Sequence, residues 1–220
     1  MGRLINLRWR EAKANLGVFL RGKAYDWANG VDTTGIVQIS RVSVLGNNRQ
    51  CAIQYEPVSP DELAEVLAEI VVEFENFTFI DFGSGKGRVL LMAGRYPFRR
   101  IIGVEFAREL HEIALKNISR FRGPKRCSSL ESVHSDATEF PIPAGPLVIF
   151  LNNPFRHPVM AAVMQNVSNS LLAAPREVIF VCVTRWTLTE YIEQIAGVLE
   201  IKRGRNFKIF RFCPAMRVGH

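Results

Sequence analysis

Three acids, a run of alternating glycines and an amide pair are the residues of this sequence from which a binding site could be made. Phe79–Leu91 reads FIDFGSGKGRVLL. Asp81 closes an apolar run, and Gly83, Gly85 and Gly87 alternate with Ser84 and Lys86. Glycine permits a positive φ and lets another group come close. Such a loop could approach the phosphates of a nucleoside triphosphate, the pyrophosphate of a dinucleotide, or a nucleoside with no phosphate. The triphosphate loop needs GxxxxGK[ST], with a hydroxyl for magnesium. Here Lys86 is followed by Gly87, which excludes it. The dinucleotide loop wants GxGxxG, whereas the spacing here is GxGxG.

Asp81 stands where open α/β sheets bind ligands, at the carboxyl end of its strand. It would repel a pyrophosphate and can hold the α-ammonium of an amino acid; capping the next helix is its structural alternative. Glu105 lies 24 residues further on, near the ~20 expected of a ribose-binding carboxylate. Its two oxygens can accept from two hydroxyls. Asp136, in HSDAT, can accept from an adenine amino group.

LVIFLNNPF sets Asn152, Asn153, Pro154 and Phe155 at the end of an apolar strand. Amides there can orient an incoming nucleophile, and Phe155 offers an aromatic wall to a cation or a planar group. The alternative is a plain turn with Asn capping the next helix. Pro154 biases Asn153 toward extended backbone, which makes Asn153 the first choice for orientation and turns Asn152 to the other side. A neutral amine acceptor needs no strong base, while an alcohol wants one. Of the histidines, His111 and His134 read as surface or packing residues. His157, two residues past Phe155, is nearest the site.

The elements that must position these residues alternate. Residues 3–23 have the spacing of a basic amphipathic helix, weakened by Gly17. Residues 35–45 read as one or two short strands. Ser59-Pro60-Asp61-Glu62 starts a helix that continues to Phe74, with serine as cap and proline in the first turn. Then come strand TFID, helix 86–95, strand RRIIGVEF, helix ARELHEIALKNISRF, a short strand in LESVHSDA and strand PLVIFLNN. Helix HPVMAAVMQNVSNSLL, strand EVIFVCV, a helix through LTEYIEQIAG and a hairpin, VLEIKR and FKIFRF, complete the chain. Strands alternating with helices predict a parallel sheet covered on both faces, with an antiparallel edge.

The 220 residues are 48% hydrophobic and 22% charged, a globular balance. No apolar run reaches the ~18 residues that span a bilayer. The basic start lacks the apolar segment and cleavage site of a secretory signal; its closest processing likeness is an organelle transit peptide. The four cysteines form no CxxC pair, so no metal site is predicted and free thiols in a reducing cytoplasm are expected. The net charge of +7 concentrates at the two ends and would attract a polyanion.

DFGSGKG, GVEF, SDA and NNPF, in that order, resemble the motifs of class I S-adenosylmethionine-dependent methyltransferases. With GVDT, YxP and ELHEIA they resemble an uncharacterised bacterial group of that class, over about residues 26–212. A remoter similarity is to histone-lysine methyltransferases that lack a SET domain. The resemblance implies a Rossmann-like seven-stranded α/β sandwich ordered 3-2-1-4-5-7-6, with strand 7 antiparallel, and S-adenosyl-L-methionine as cofactor. It implies that Gly83, Ser84, Gly85 and Gly87 pass under the cofactor. Asp81 would anchor the methionine end and Glu105 the ribose, with Phe106, Asp136 and Ala137 around the base. Tyr55 and Pro57 would close over the methionine moiety. Asn152, Asn153 and Phe155 match an acceptor box of the form [DNS]PP[YF], with Asn153 in place of the first proline. The expected division is a helical and lid extension over 1–58 and a cofactor-binding domain over 59–220; residues 25–34, dense in Asp, Gly and aromatic residues, read as a lid over the pocket. The acceptor could be protein, RNA or a small molecule, accepting on nitrogen or oxygen, and the oligomeric state is open. Two other functions fit parts of the pattern. A nucleic-acid-binding module retaining the fold fits the basic ends. An NAD(P)-dependent oxidoreductase fits the glycines, but no Tyr-xxx-Lys pair follows the fourth strand.

Overall fold

A computed structural model describes residues 2–214 apart from 39, 41, 46–47, 52 and 184–186. Seven strands form one sheet: β1 (Thr78–Phe82), β2 (Arg100–Glu105), β3 (Leu130–His134), β4 (Leu147–Asn152), β5 (Val178–Val183), β6 (Val198–Arg203) and β7 (Phe207–Phe212). Their order is β3-β2-β1-β4-β5-β7-β6, as expected. The first five are parallel, and β7 runs antiparallel to both β5 and β6.

The central strands are buried on both faces, so they read as unbroken apolar runs. Their pleat divides the core in two. Phe79, Val148, Phe150, Ile179 and Val181 face α2 (Pro60–Ala68) and α3 (Arg88–Ala93). Ile80, Phe82, Ile149, Leu151 and Phe180 face α5 (His157–Ala173) and the single turn α6 (Glu190–Glu193). The helix α4 (Arg108–Arg120) packs on β2 and β3.

Several elements differ from expectation. The first helix, α1, continues to Asn29 and is not broken by Gly17. A Cβ at Gly22 would meet Thr34 Oγ1 at 2.8 Å, so glycine lets α1 approach the body there. Helix α2 stops at Ala68, before the β-branched Ile70-Val71-Val72, and a 3₁₀ turn at Phe74–Asn76 leads into β1. Helix α3 begins only after Gly87, whose φ of +85° is left-handed. Residues 35–45 make two isolated bridges instead of strands, Val37 with Tyr55 and Val44 with Ala107.

A buried polar cluster fastens the N-terminal segment to the sheet. The Asp26 carboxylate accepts from Thr33 N at 3.0 Å, Thr33 Oγ1 at 2.5 Å and Thr34 N at 2.8 Å. Arg88, at the start of α3, donates to Thr33 Oγ1, Thr34 Oγ1 and the Val58 carbonyl, and pairs with Asp26 at 3.7 Å. Asp26 and Arg88 are 4% and 3% exposed. Breaking such a pair leaves a buried charge uncompensated, at ~3–5 kcal/mol. Asp26→Ala should therefore lower the unfolding free energy by about that amount in urea melts. A loss no larger than that of a surface mutation would show that the cluster does not anchor the segment.

Candidate functional site

The site forms where β1, β2 and β4 end at one edge of the sheet. Past Phe82, Gly83 N and Ser84 N donate to the Val104 carbonyl at 2.9 and 3.2 Å, which prolongs the β1–β2 contact into the loop. All three loop glycines have positive φ. Gly85 has a second reason to lack a side chain, because a Cβ there would lie 2.1 Å from the Tyr55 ring. The Tyr55 hydroxyl in turn donates to the Thr33 carbonyl at 2.7 Å.

Glu105, at the end of β2, ties this loop to α4. Its Oε2 accepts from Gly85 N at 2.7 Å and its Oε1 from Ala107 N at 2.9 Å. Burial nevertheless pushes its carboxyl up to about 7, more than its backbone hydrogen bonds bring it down. Asp81 is 2% exposed and has no hydrogen-bond partner among the described residues. Burial, and then the neighbouring Glu105, raise its carboxyl well above the usual carboxylate range. Two other buried polar atoms here have no partner: Ser84 Oγ and Asn152 Oδ1.

These residues surround a cavity of about 600 Å³, within the ~300–1,000 Å³ of small-molecule sites. Of the residues expected to hold the cofactor, Tyr55, Pro57, Asp81, Gly83 and Ser84 line it on one side. Glu105, Phe106, Asp136 and Ala137 line it on another, and Asn152, Asn153 and Phe155 close it on the β4 side. Gly85 and Gly87 do not reach it; one lies under Tyr55 and the other caps α3. Asp136 accepts from Thr138 N and Oγ1, holding its own turn.

Two expectations are corrected. Residues 25–34 do not line the cavity as a lid. They touch its wall through Tyr55 and Arg88, and residues 53–59 form the wall. Asn153 is not extended either: its φ of +46° makes it the one non-glycine residue with positive φ among those described. Asparagine tolerates that region, so the residue takes the corner itself. Its N–H donates to Thr187 Oγ1 at 3.0 Å, and that hydroxyl donates to the Val183 carbonyl.

The described histidines lie outside this cavity. His111 and His134 stack at 5.4 Å, with His111 bonded to Ser132 and His134 to the Phe106 carbonyl. His157 pairs with the Tyr191 hydroxyl and lines a shallower cavity of about 480 Å³ that shares Asn153 and Phe155. Sequence reasoning missed Arg88, Val18, Glu56 and Glu62, which also line the main cavity. Arg88 is the one cation among the described lining residues, and its donors are turned to Thr33, Thr34 and Val58. Against it stand Glu56, Glu62, Asp81, Glu105 and Asp136. This excess of acids suits a cationic ligand and opposes a phosphate.

The sequence matches no established family profile. A 62-residue stretch is 44% identical to part of the H3 lysine-79-specific histone-lysine N-methyltransferase of Drosophila melanogaster, covering 24% of this chain and 3% of that protein. In three dimensions the chain is similar to a protein assigned as an RNA methyltransferase from Pyrococcus horikoshii. There the TM-score is 0.54 at 18% identity, over 82% of this chain and 94% of that one. A protein assigned as a methyltransferase from Pseudomonas syringae gives 0.50 at 9% identity, over 70% and 97% of the two chains. The fold is that of the class I methyltransferases.

The buried acids make stability depend on pH with a definite sign. A carboxyl whose folded pKa of about 7 exceeds its ordinary 4.5 favours the folded state at low pH, and that contribution is lost as pH rises through 7. Asp81 acts in the same direction. Urea melts of the ligand-free protein should show the unfolding free energy falling between pH 5 and 8, by up to ~3 kcal/mol. A flat profile in that window would mean that these carboxyls are solvated.

Proposed function

We propose that this chain is an S-adenosylmethionine-dependent methyltransferase that places the methyl group on a nitrogen of its acceptor. The observation that carries the reading is Asp81, a buried carboxyl with no hydrogen-bond partner among the described residues, on a cavity of cofactor size. An ammonium group bound there would satisfy it and restore its ionised form. Glu105 accepts from Gly85 N and Ala107 N, with Phe106 a further backbone neighbour, and its remaining acceptor capacity suits a ribose hydroxyl. Phe106 and Ala137 supply apolar surface for a base, and Ser84 Oγ is a further group in need of a partner. The residues present fit the cofactor.

S-adenosylmethionine supplies an activated methyl on a positively charged sulfur. The chain has to exclude water, hold the acceptor in line and accept an N–H. Asn152 now takes the place given to Asn153. It lines the cavity and its Oδ1 has nothing to accept from, while Asn153 is committed to the turn. Phe155 forms the wall. No histidine lines the main cavity among the described residues, which supports an amine that needs no strong base. The excess of acids counts against a nicotinamide dinucleotide with its pyrophosphate. Free thiols at Cys51, Cys127, Cys182 and Cys213 fit a cytoplasmic location. No described helix is long and apolar enough to cross a membrane. The basic ends support attraction to a polyanionic surface.

Titration calorimetry should show S-adenosylmethionine binding at least ~10-fold more tightly than NAD, with the affinity rising from pH 6 to 8 as Glu105 ionises. Tighter NAD binding would overturn the reading. A screen with tritium-labelled methyl donor against protein, RNA and small-molecule fractions then finds the acceptor. With it, Asn152→Ala should keep cofactor affinity within a few-fold and lose ~10²-fold in single-turnover rate, the scale of lost alignment. Equal losses in both quantities would make Asn152 a folding or cofactor residue.

A further inference from the structure

Helix α1 has two apolar faces, and the body covers only one of them. Val18 reaches the main cavity, Tyr25 packs on the core and Asp26 is buried against Arg88. Opposite Val18, at steps of 100° per residue, stand Leu16, Leu20, Lys23 and Trp27, with Phe19 beside them. Leu16 is 56% exposed, Phe19 45%, Leu20 57% and Trp27 85%. In the sequence, α1 carries Arg3, Arg8, Arg10, Lys13, Arg21 and Lys23 against Glu11 and Asp26. Asp26 is neutralised in the interior.

We infer that this outer face of α1 docks on an anionic lipid surface. Leucine, phenylalanine and an indole exposed together on a helix whose sequence is rich in lysine and arginine is the make-up of a helix lying in a bilayer interface. Lys23 lies 5.9 Å from the Phe19 ring, and Lys23 and Arg21 each stand in an exposed ion pair, with Asp32 and Asp61 respectively, that anionic headgroups can compete with. A second copy of the chain is disfavoured, because pairing two such helices sets like charges side by side. Nucleic acid would engage the cations and leave Leu16 and Leu20 in water. Since Val18 is on the far side of the same helix, a bound surface would lie about one helix diameter, ~10–12 Å, from the cavity.

The test uses the full chain, without cofactor, so that its outcome is separate from that of the methyl-transfer reading. Sedimentation with phosphatidylcholine vesicles, with and without phosphatidylglycerol, is compared for the native chain and a Leu16→Glu/Leu20→Glu variant. The native chain should bind the anionic vesicles at least ~10-fold more than the neutral ones. The variant should lose that binding by at least ~10-fold with an unchanged unfolding temperature. Absence of vesicle binding by the native chain overturns the inference, as does undiminished binding by the variant. Retention of a duplex oligonucleotide in place of vesicles would assign the face to nucleic acid and overturn it too. So would a dimer, seen by analytical ultracentrifugation, that the two glutamates dissolve.

Discussion

The Glu105 carboxylate holds together the two backbones between which the cavity opens. One oxygen fixes Gly85 of the loop after β1; the other fixes Ala107 at the entry to α4. Gly85 held in this way, with its left-handed φ, makes room for the Tyr55 ring. Tyr55 reaches the Thr33 carbonyl, and Thr33 is held by Asp26 and Arg88. One buried carboxylate is thus the first member of a series of contacts from the sheet to the N-terminal helix. Its backbone hydrogen bonds relieve only part of the cost of burial, so its carboxyl remains raised to about 7.

The buried ionic groups divide into two kinds, and the proposed reading puts the ligand at the second. Asp26 and Arg88 satisfy each other and five further polar groups, so they need nothing from outside. Asp81 and Glu105 lie within interaction range of each other with no cation turned toward them. Such an arrangement stores unfavourable free energy that a cationic ligand releases on binding. Arg88 lines the cavity while its donors are turned to Thr33, Thr34 and Val58. Arg88 is therefore committed to anchoring, and the acids are left without a cation among the described lining residues.

The sheet was legible in the sequence because each central strand is a short apolar run bounded by turn residues, and each connection is long enough for a helix. The acids and glycines were legible because they fall at the ends of those runs, where the fold gathers them. What could not be read depends on contacts distant along the chain. Arg88 gave no local signal, since its partners lie at 26, 33, 34 and 58. The described residues of 35–45 alternate like a strand but bridge only Tyr55 and Ala107 as isolated β-bridges, and Ser43 and Leu45 bond instead to Glu109, Arg108 and Phe106. The aromatic and acidic density of residues 25–34 reflects a buried anchor, not a lid, and composition alone does not separate the two.

The corner after β4 shows how a local rule can be right about residue types and wrong about their roles. The residue before a proline is pushed from the right-handed helical region, and extended backbone is its usual refuge. At Asn153 the other refuge is taken, because an extended residue would carry the chain past the site. The left-handed turn instead folds Pro154 back to within 3.1 Å of a Cβ placed on Gly83, so that the acceptor box closes on the glycine loop. Asparagine is among the few non-glycine residues that enter this region routinely. Asn153 is thus explained by the turn and by its N–H bond to Thr187. Asn152, the last residue of β4, has no such explanation: it needs no special backbone, and its Oδ1 has no partner. A buried amide oxygen left without a donor is costly in a finished core. On the proposed reading the missing donor arrives with the acceptor, and that would separate the residue that shapes this corner from the residue that acts there.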